Sequence, residues 1–260
     1  MPDGHSQKTQ LTLNILATSD VHGALGAGRN GSAAKGGLGK IASLVASLRA
    51  EHPNCLLVDN GDFLQGTPLC DLVASGQLPL SKGHPVIRAM NHLKYDAVGL
   101  GNHEFDYGMP FLMNTLNQAD FPIIGSNADC DGQNWLKRLI IEKDLVDDNG
   151  HQHRAKIGVL SVLPEQVTAW NAAHLKDRLS TRDITETAIE TAATLRQEGA
   201  QIVVALLHSG IGGEDREPRQ ENAVIPIAKA AEIDAIICGH THQMLPDAAR
   251  SDTGDVDFAT

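Results

Sequence analysis

Gly101-Asn102-His103-Glu104-Phe105-Asp106 sets an amide, an imidazole and a carboxylate just beyond an apolar run that ends at Leu100. The run itself, 96–100, is short and β-prone and suits a buried strand, while 109–116, with Pro110 near its start, suits a helix. The hexapeptide therefore occupies a strand-to-helix loop. In open α/β sheets such loops line the crevice beyond the strand ends, where ligands bind. The Asn102 side-chain oxygen can bind a metal without adding charge. His103 can donate a proton, with Asp106 near enough to orient its ring. Residues of this kind are common in loops, so the reading depends on what other loops supply.

Four further loops complete it. An expected strand over 11–17 runs into Thr18-Ser19-Asp20-Val21-His22-Gly23. In an extended backbone residues two apart point the same way, which lets Asp20 and His22 face one metal. A strand over 55–58 empties into Asp59-Asn60-Gly61-Asp62. Gly61 allows a sharp turn that leaves Asp62 at the strand's end, where its two oxygens can bridge two metals or, alternatively, cap an Asp-Gly turn. Asp59 reads as a support that hydrogen-bonds the loop. A strand over 201–207 closes with His208-Ser209-Gly210, and one over 234–238 delivers Gly239-His240-Thr241-His242, repeating the spacing of Asp20 and His22. Five strand-end loops carrying metal-ligand side chains are hard to explain as structure alone.

Elsewhere the pattern predicts helices over 38–48, 69–74, 86–93, 183–196 and 222–231, and strands over 121–125, 136–146 and 156–163. The last two strands join through a hairpin turn at Asp147-Asp148-Asn149-Gly150. Thr181-x-x-Ile184 is too weak a match for a capping box at the 183–196 helix. His151 and His153 read as a solvated face rather than a metal pair. The glycine-rich 26–39 reads as a mobile loop; Gly26-Ala27-Gly28-Arg29-Asn30-Gly31 fits the dinucleotide fingerprint by letter but no helix opens directly at it. Strands alternating with helices in this order predict an α/β sandwich with a mixed sheet.

The chain has 260 residues, 42% of them apolar, enough for one large domain over 11–260 behind a polar tail at 1–10. A net charge of -11 argues against a broad basic face for a nucleic-acid polymer, and 3% aromatic residues leave no evident base-stacking platform. A phosphate-bearing substrate would then depend on local positive charge, which bound metal supplies. Cys55, Cys70, Cys130 and Cys238 form no Cys-x-x-Cys pair and read as buried thiols. No run approaches the ~20 apolar residues of a membrane span, and 1–10 has no signal-peptide core, so the chain reads as cytoplasmic as written.

The blocks SDVHG (19–23), DNGDFLQG (59–66), GNHEFD (101–106), LLHSG (206–210) and ICGHTH (237–242) together resemble the calcineurin-like metallophosphoesterases, in order and in spacing. More narrowly, VDNGDFLQGTPL (58–69), HPVIRAMNHLKYDAVGLGNHEFDYG (84–108), VLPEQVTAW (162–170) and ENAVIPIA (221–228) are similar to the 2′,3′-cyclic-nucleotide 2′-phosphodiesterase/3′-nucleotidase branch of the 5′-nucleotidase family.

The resemblance implies a four-layer αββα sandwich with mixed sheets whose last strands, and a second nucleoside-binding domain, lie beyond this chain. It implies two divalent metal ions, one held by Asp20, His22 and His242, the other by Asn102, His208 and His240, with Asp62 bridging them. A hydroxide between the metals would attack phosphorus in line, His103 would serve the leaving group, and Asp106 would orient His103. Two divalent cations, two carboxylates and a hydroxide leave a charge of about +1, suited to a phosphodiester anion. Mixed nitrogen and oxygen ligands suit Mn²⁺, Zn²⁺, Fe or Co. The implied substrate is a small nucleotide, and members of this branch work in the periplasm or cell wall. The runner-up is a 5′-nucleotidase or nucleotide-sugar hydrolase, whose last block more often ends in Gln where His242 stands. A non-catalytic metal-binding domain is a further alternative. The family's aromatic stretch after the Asp-x-His block is replaced here by Gly26 to Gly37.

Overall fold

The computed structural model describes residues 10–26, 37–78 and 83–243. The expected glycine-rich loop and its fingerprint-like letters fall largely outside the described residues, as does the polar tail. In chain order the elements are β1 (Asn14–Thr18), α1 (Leu38–Glu51), β2 (Cys55–Asp59), α2 (Pro68–Ala74), α3 (Pro85–Leu93), β3 (Ala97–Gly99), α4 (Met109–Leu116), β4 (Ile123–Ile124), β5 (Ala128–Asp129), β6 (Leu139–Val146), β7 (Gln152–Val162), α5 (Val167–Trp170), α6 (Ala172–Leu175), β8 (Ser180–Thr181), α7 (Ile184–Gln197), β9 (Ile202–Leu207), α8 (Val224–Ala230) and β10 (Ala235–Cys238).

The first sheet has the order β1-β2-β3-β4 and is parallel throughout, each step crossed by helix. The second has the order β10-β9-β7-β6, parallel except for the β6–β7 hairpin, so the expected mixed pairing belongs to this sheet alone. A two-stranded antiparallel ribbon, β5–β8, stands apart.

Alternation along the strands explains the layering. Leu56, Val58, Ala97 and Ile124 of the first sheet face Ile157, Val159, Val204 and Leu206 of the second and form the core between the sheets. Leu57 and Val98 point the other way, into a core with Leu38, Val45, Ile87, Met90 and Leu112 from α1, α3 and α4. On the far side Leu160, Val162, Val203, Ala205 and Leu207 pack under Ile184, Ala188, Leu195, Val224 and Ile227 of α7 and α8. Strands covered on both faces read as continuous apolar runs, which is why 55–58 and 201–207 are legible. Each fully buried aliphatic side chain contributes roughly 1.5–3 kcal/mol. The result is helix, sheet, sheet, helix. Gly99 lets the sheets approach closely: an added Cβ would lie 2.5 Å from Ser161 Oγ.

Several expectations need correction. β4 covers only two residues, and β6 starts at Leu139 because Leu136 is spent on a lone bridge to Ile124. Thr181 starts no capping box, as expected, but the helix at 183–196 does have an N-cap two residues later: the Asp183 side chain accepts from Glu186 N at 2.8 Å. His151 and His153 are not simply solvated. Their ring nitrogens stand 3.5 and 2.7 Å from Asp147 Oδ2, while Asp147 Oδ1 accepts the backbone N–H groups of Asn149 and His151, closing the hairpin. Of the four thiols, all unpaired, Cys55 and Cys70 are buried but Cys130 and Cys238 are only partly so. Among the described residues no helix is long and apolar enough to cross a membrane.

Candidate metal centre

β1, β2 and β3 end in loops carrying Asp20 and His22, Asp62, and Asn102 and His103; β9 and β10 end in His208 and in His240 and His242. All five loops leave the carboxyl ends of their strands. Gly239 lets the two sheets' loops meet, since a Cβ there would collide with Ser19 Oγ and Asp20 Oδ2. Gly61 and Gly101 do the same within the first sheet, where a Cβ on Gly101 would strike Asp62 Oδ1.

The backbone that presents the ligands is not the extended one expected from their alternation. Asp20, His22, Asp62, His240 and His242 have φ of 53°, 47°, 60°, 71° and 52°, five of the eight non-glycine residues with positive φ among the described residues. Left-handed backbone at a non-glycine residue is strained and concentrates at functional sites. Asp20 and His22 thus converge through a tight turn, pinned by bonds from Asp20 N to Gly61 O (3.0 Å) and from His22 N to Asp62 O (2.8 Å).

Two groups of ligand atoms result, Asp20, His22 and His242 in one and Asp62, His208 and His240 in the other, the atoms of each lying within 4.8 Å of one another. In the first, His22 Nε2 is 3.0 Å from His242 Nε2, and His242 Nε2 is 3.3 Å from Asp20 Oδ1. In the second, His208 Nε2 is 2.9 Å from Asp62 Oδ2. The same Asp62 oxygen is 4.0 Å from His22 Nε2, so it stands between the groups.

The donor set fits divalent cations. His208 Nδ1 donates to the Asn60 carbonyl at 2.8 Å and His22 Nδ1 to the Gln65 carbonyl at 2.9 Å, which leaves each Nε2 as a lone pair turned to the centre. His208 Nε2 and Asn102 Oδ1 are both buried with no hydrogen-bond partner. The short His208–Asp62 separation is thus proximity without hydrogen-bond geometry, as when two ligands aim at a common point. Burial opposes charge on both groups, yet their mutual attraction prevails, raising the His208 pKa and holding the Asp62 carboxyl below its usual range, so a proton and a cation would compete for the place at His208 Nε2.

His103 lies beside the second group. Its N–H donates to Asp62 Oδ1 at 2.8 Å, and its Nδ1 meets Asp106 Oδ2 at 2.7 Å. The Asp106 hydrogen bond raises the ring's pKa against partial burial, with Asp62 adding to it. Asp59 supports its loop as expected, accepting from Gly61 N at 2.9 Å and from the Thr18 hydroxyl at 2.5 Å; burial pushes its pKa up to about 8.

Three further neighbours lie inside blocks that carry the resemblance, GNHEFD, VLPEQVTAW and ENAVIPIA, although nothing in those blocks assigns them a place at the site. Glu104 is fully buried and accepts from Asp62 N, Phe63 N, Leu64 N and Gly101 N, binding the second and third loops together. Glu221 Oε1 accepts from His240 Nε2 at 2.7 Å, and Trp170 stacks on the His240 ring at 5.8 Å. A separate cleft of about 890 Å³, between the start of α4 and the β5–β8 ribbon, is lined by Met109, Met113, Asp129 and Arg178 among others and holds none of the metal-ligand candidates.

A profile of the Calcineurin-like phosphoesterase family matches residues 13–244. The chain belongs to this family. This calcineurin-like phosphoesterase is 40% identical to the trifunctional nucleotide phosphoesterase protein YfkN of Bacillus subtilis over 95% of its own length, and 37% identical to a 2′,3′-cyclic-nucleotide 2′-phosphodiesterase/3′-nucleotidase of Haemophilus influenzae over 96%. It spans only 18% and 39% of those two proteins. The crystal structure of the calcineurin-like phosphoesterase YfkN from Bacillus subtilis superimposes with a TM-score of 0.88 at 38% identity, covering 95% of this chain and 77% of that one.

Proposed function

We propose that this phosphoesterase is a hydrolase of nucleotide phosphate esters, opening 2′,3′-cyclic nucleotides to 3′-nucleotides and then releasing nucleosides. The observation that carries the reading is a single carboxylate, Asp62, standing between two ligand groups beside the His103–Asp106 pair. Asp20, His22 and His242 would hold one divalent ion and Asn102, His208 and His240 the other, with Asp62 shared. Divalent cations there supply Lewis acidity to the phosphoryl oxygens and acidify a water for in-line attack.

The protein's own residues do the rest. Asn102 Oδ1 and His208 Nε2 are buried without a hydrogen-bond partner, and both, with Asp62 Oδ2 2.9 Å from His208 Nε2, favour a bound cation. His103 is partly open to solvent, and its hydrogen bond to Asp106 raises the ring's pKa, which favours the protonated form that gives a proton to a departing ribose oxygen. Asp106 fixes the ring's tautomer by taking the Nδ1 proton's hydrogen bond. The name of the Haemophilus influenzae relative favours the cyclic-nucleotide branch over a 5′-nucleotidase.

The test is hydrolysis of 2′,3′-cyclic AMP and bis-p-nitrophenyl phosphate by chelator-stripped protein, with and without Mn²⁺, beside Asp62→Asn. Metal-dependent cleavage of both, with 3′-AMP appearing before adenosine and none of it in Asp62→Asn, is the expected result. Cleavage of 5′-AMP in preference to the cyclic nucleotide would transfer the chain to the 5′-nucleotidase reading. Silence on every ester with two ions bound would make it a metal-binding domain.

A further inference from the structure

We propose that Glu221 and Trp170 are positioning residues that clamp the His240 imidazole from outside the ligand set and so set the affinity of one of the two metal sites. The inference rests on the two-metal reading above.

The ring of His240 has two nitrogens, and one is taken. Nε2 stands 2.7 Å from Glu221 Oε1, a hydrogen bond that requires the proton on Nε2 and leaves Nδ1 as the lone pair for the group with Asp62 and His208. His22 and His208 use the opposite arrangement, Nδ1 bonded outward and Nε2 turned in. Their outward partners are neutral backbone carbonyls, whereas that of His240 is a carboxylate. An anionic partner makes the imidazole a stronger donor to a cation. Trp170 fixes the remaining freedom: its ring stacks on His240 at 5.8 Å and 19°, and the His208 ring meets His240 at 5.3 Å and 62°. A rotation of the imidazole would break the Glu221 bond and the stack together. This control matters because His240 sits on strained backbone, at φ 71°, that would otherwise relax.

The two arms of the clamp are tied to one another. Gln166, just before α5, donates through Nε2 to Arg219 O at 2.6 Å, and Arg219 Nε reaches Glu165 Oε1 at 2.7 Å. Two residues beyond Arg219, the Glu221 carbonyl accepts from Ser209 Oγ at 2.7 Å, next to the ligand His208. The clamp thus joins the segment carrying Trp170 to the loop after β9, and both close on a residue of the loop after β10. Trp170 is 47% exposed and the Glu221 side chain 40%, so neither holds the core together and both tolerate replacement.

The experiment is Mn²⁺ titration by calorimetry of the chelator-stripped full chain, in wild type, Glu221→Gln, Glu221→Ala and Trp170→Ala, with Trp fluorescence read in parallel. Wild type is expected to bind two ions. Glu221→Ala should weaken one site by about 10–100-fold, the usual effect of losing such an outer partner, and leave the other unchanged. Glu221→Gln can still accept the Nε2 proton but has lost the charge, so it should fall between. Trp170 emission should respond to the weakened site and not to the other, against the constant background of buried Trp135, whose indole N–H is bonded to Ala128 O. Two wild-type affinities retained in Glu221→Ala would overturn the clamp while leaving the two-metal reading standing. Loss of both sites together with a lower unfolding midpoint of the stripped protein would overturn it too, by assigning Glu221 to the fold. No Mn²⁺ bound by wild type would instead remove the two-metal reading, and the clamp with it.

Discussion

Replacing Glu104 with Gln separates shape from charge at the joint between two site loops. Glu104 Oε1 accepts from Phe63 N (2.7 Å) and Leu64 N (3.1 Å), and Oε2 from Asp62 N and Gly101 N (both 2.7 Å). An amide offers one oxygen, so whichever way Gln is turned its NH₂ group confronts two N–H donors. Two unsatisfied buried donors at about 1–3 kcal/mol each give roughly 2–6 kcal/mol of destabilisation. A counter-effect exists, because burial and the neighbouring Asp62 charge both push the Glu104 pKa up, and Gln removes that strain. The net loss should therefore lie toward the lower end, about 2–3 kcal/mol, a sizeable fraction of the ~5–15 kcal/mol that holds a domain together. Urea unfolding of the metal-free protein, with Mn²⁺ titration alongside, reads both consequences: a lower midpoint at unchanged m-value, and weaker binding as Asp62 shifts. A loss below about 0.5 kcal/mol with intact Mn²⁺ affinity would refute the clamp reading of Glu104.

His103→Ala should keep both ions, measured by metal analysis, while lowering turnover by about 10²–10⁴; an unchanged rate would take the proton-donor role from His103. Asp59, with its pKa raised from 3.8 to about 8, contributes stability that is fully present below about pH 4 and is lost as pH rises toward 8. Asp59→Asn should therefore gain on wild type across that window, by about 1.4 kcal/mol per pH unit at most, and run parallel to it above pH 8 in unfolding of the stripped protein. Gly239→Ala, whose methyl collides with Ser19 and Asp20, should weaken the Asp20–His22–His242 site in the same titration, with no such effect from Gly213→Ala, where the space is open.

The strands and the metal-ligand candidates at their ends were legible for one physical reason: two-sided burial writes continuous apolar runs, and polar residues interrupt them abruptly, as at Leu207-His208 and Leu100-Gly101-Asn102. Elements of two to four residues, β5, β8, α5 and α6, are too short to express a period. The backbone of the ligand turns was misjudged because alternation in sequence says nothing about φ; Asp20 and His22 meet through left-handed turns, not along an extended strand. Glu221 and Trp170 were invisible as site residues since their partner, His240, is remote in the chain and only the tertiary fold brings them together. The cap of α7 is Asp183, two residues beyond the Thr181 hydroxyl, and a carboxylate directly before an apolar residue resembles any solvated loop residue in sequence.

The seam between the sheets has a bearing on biosynthesis. Asn60 Nδ2 bonds Leu207 O across 147 residues of chain, right beside Asp62 and His208. A ribosome therefore releases the first ligands long before their counterparts exist, and the emerging N-terminal half exposes Asp20, His22, Asp62 and Asn102 without the three later histidines. On the two-metal reading proposed above, such a half-made protein would have only part of each coordination sphere, so tight metal capture would await the pairing of β9 and β10 onto the sandwich. Metal retention in the cell would then report completed synthesis and correct assembly of the whole unit, not merely the presence of the polypeptide.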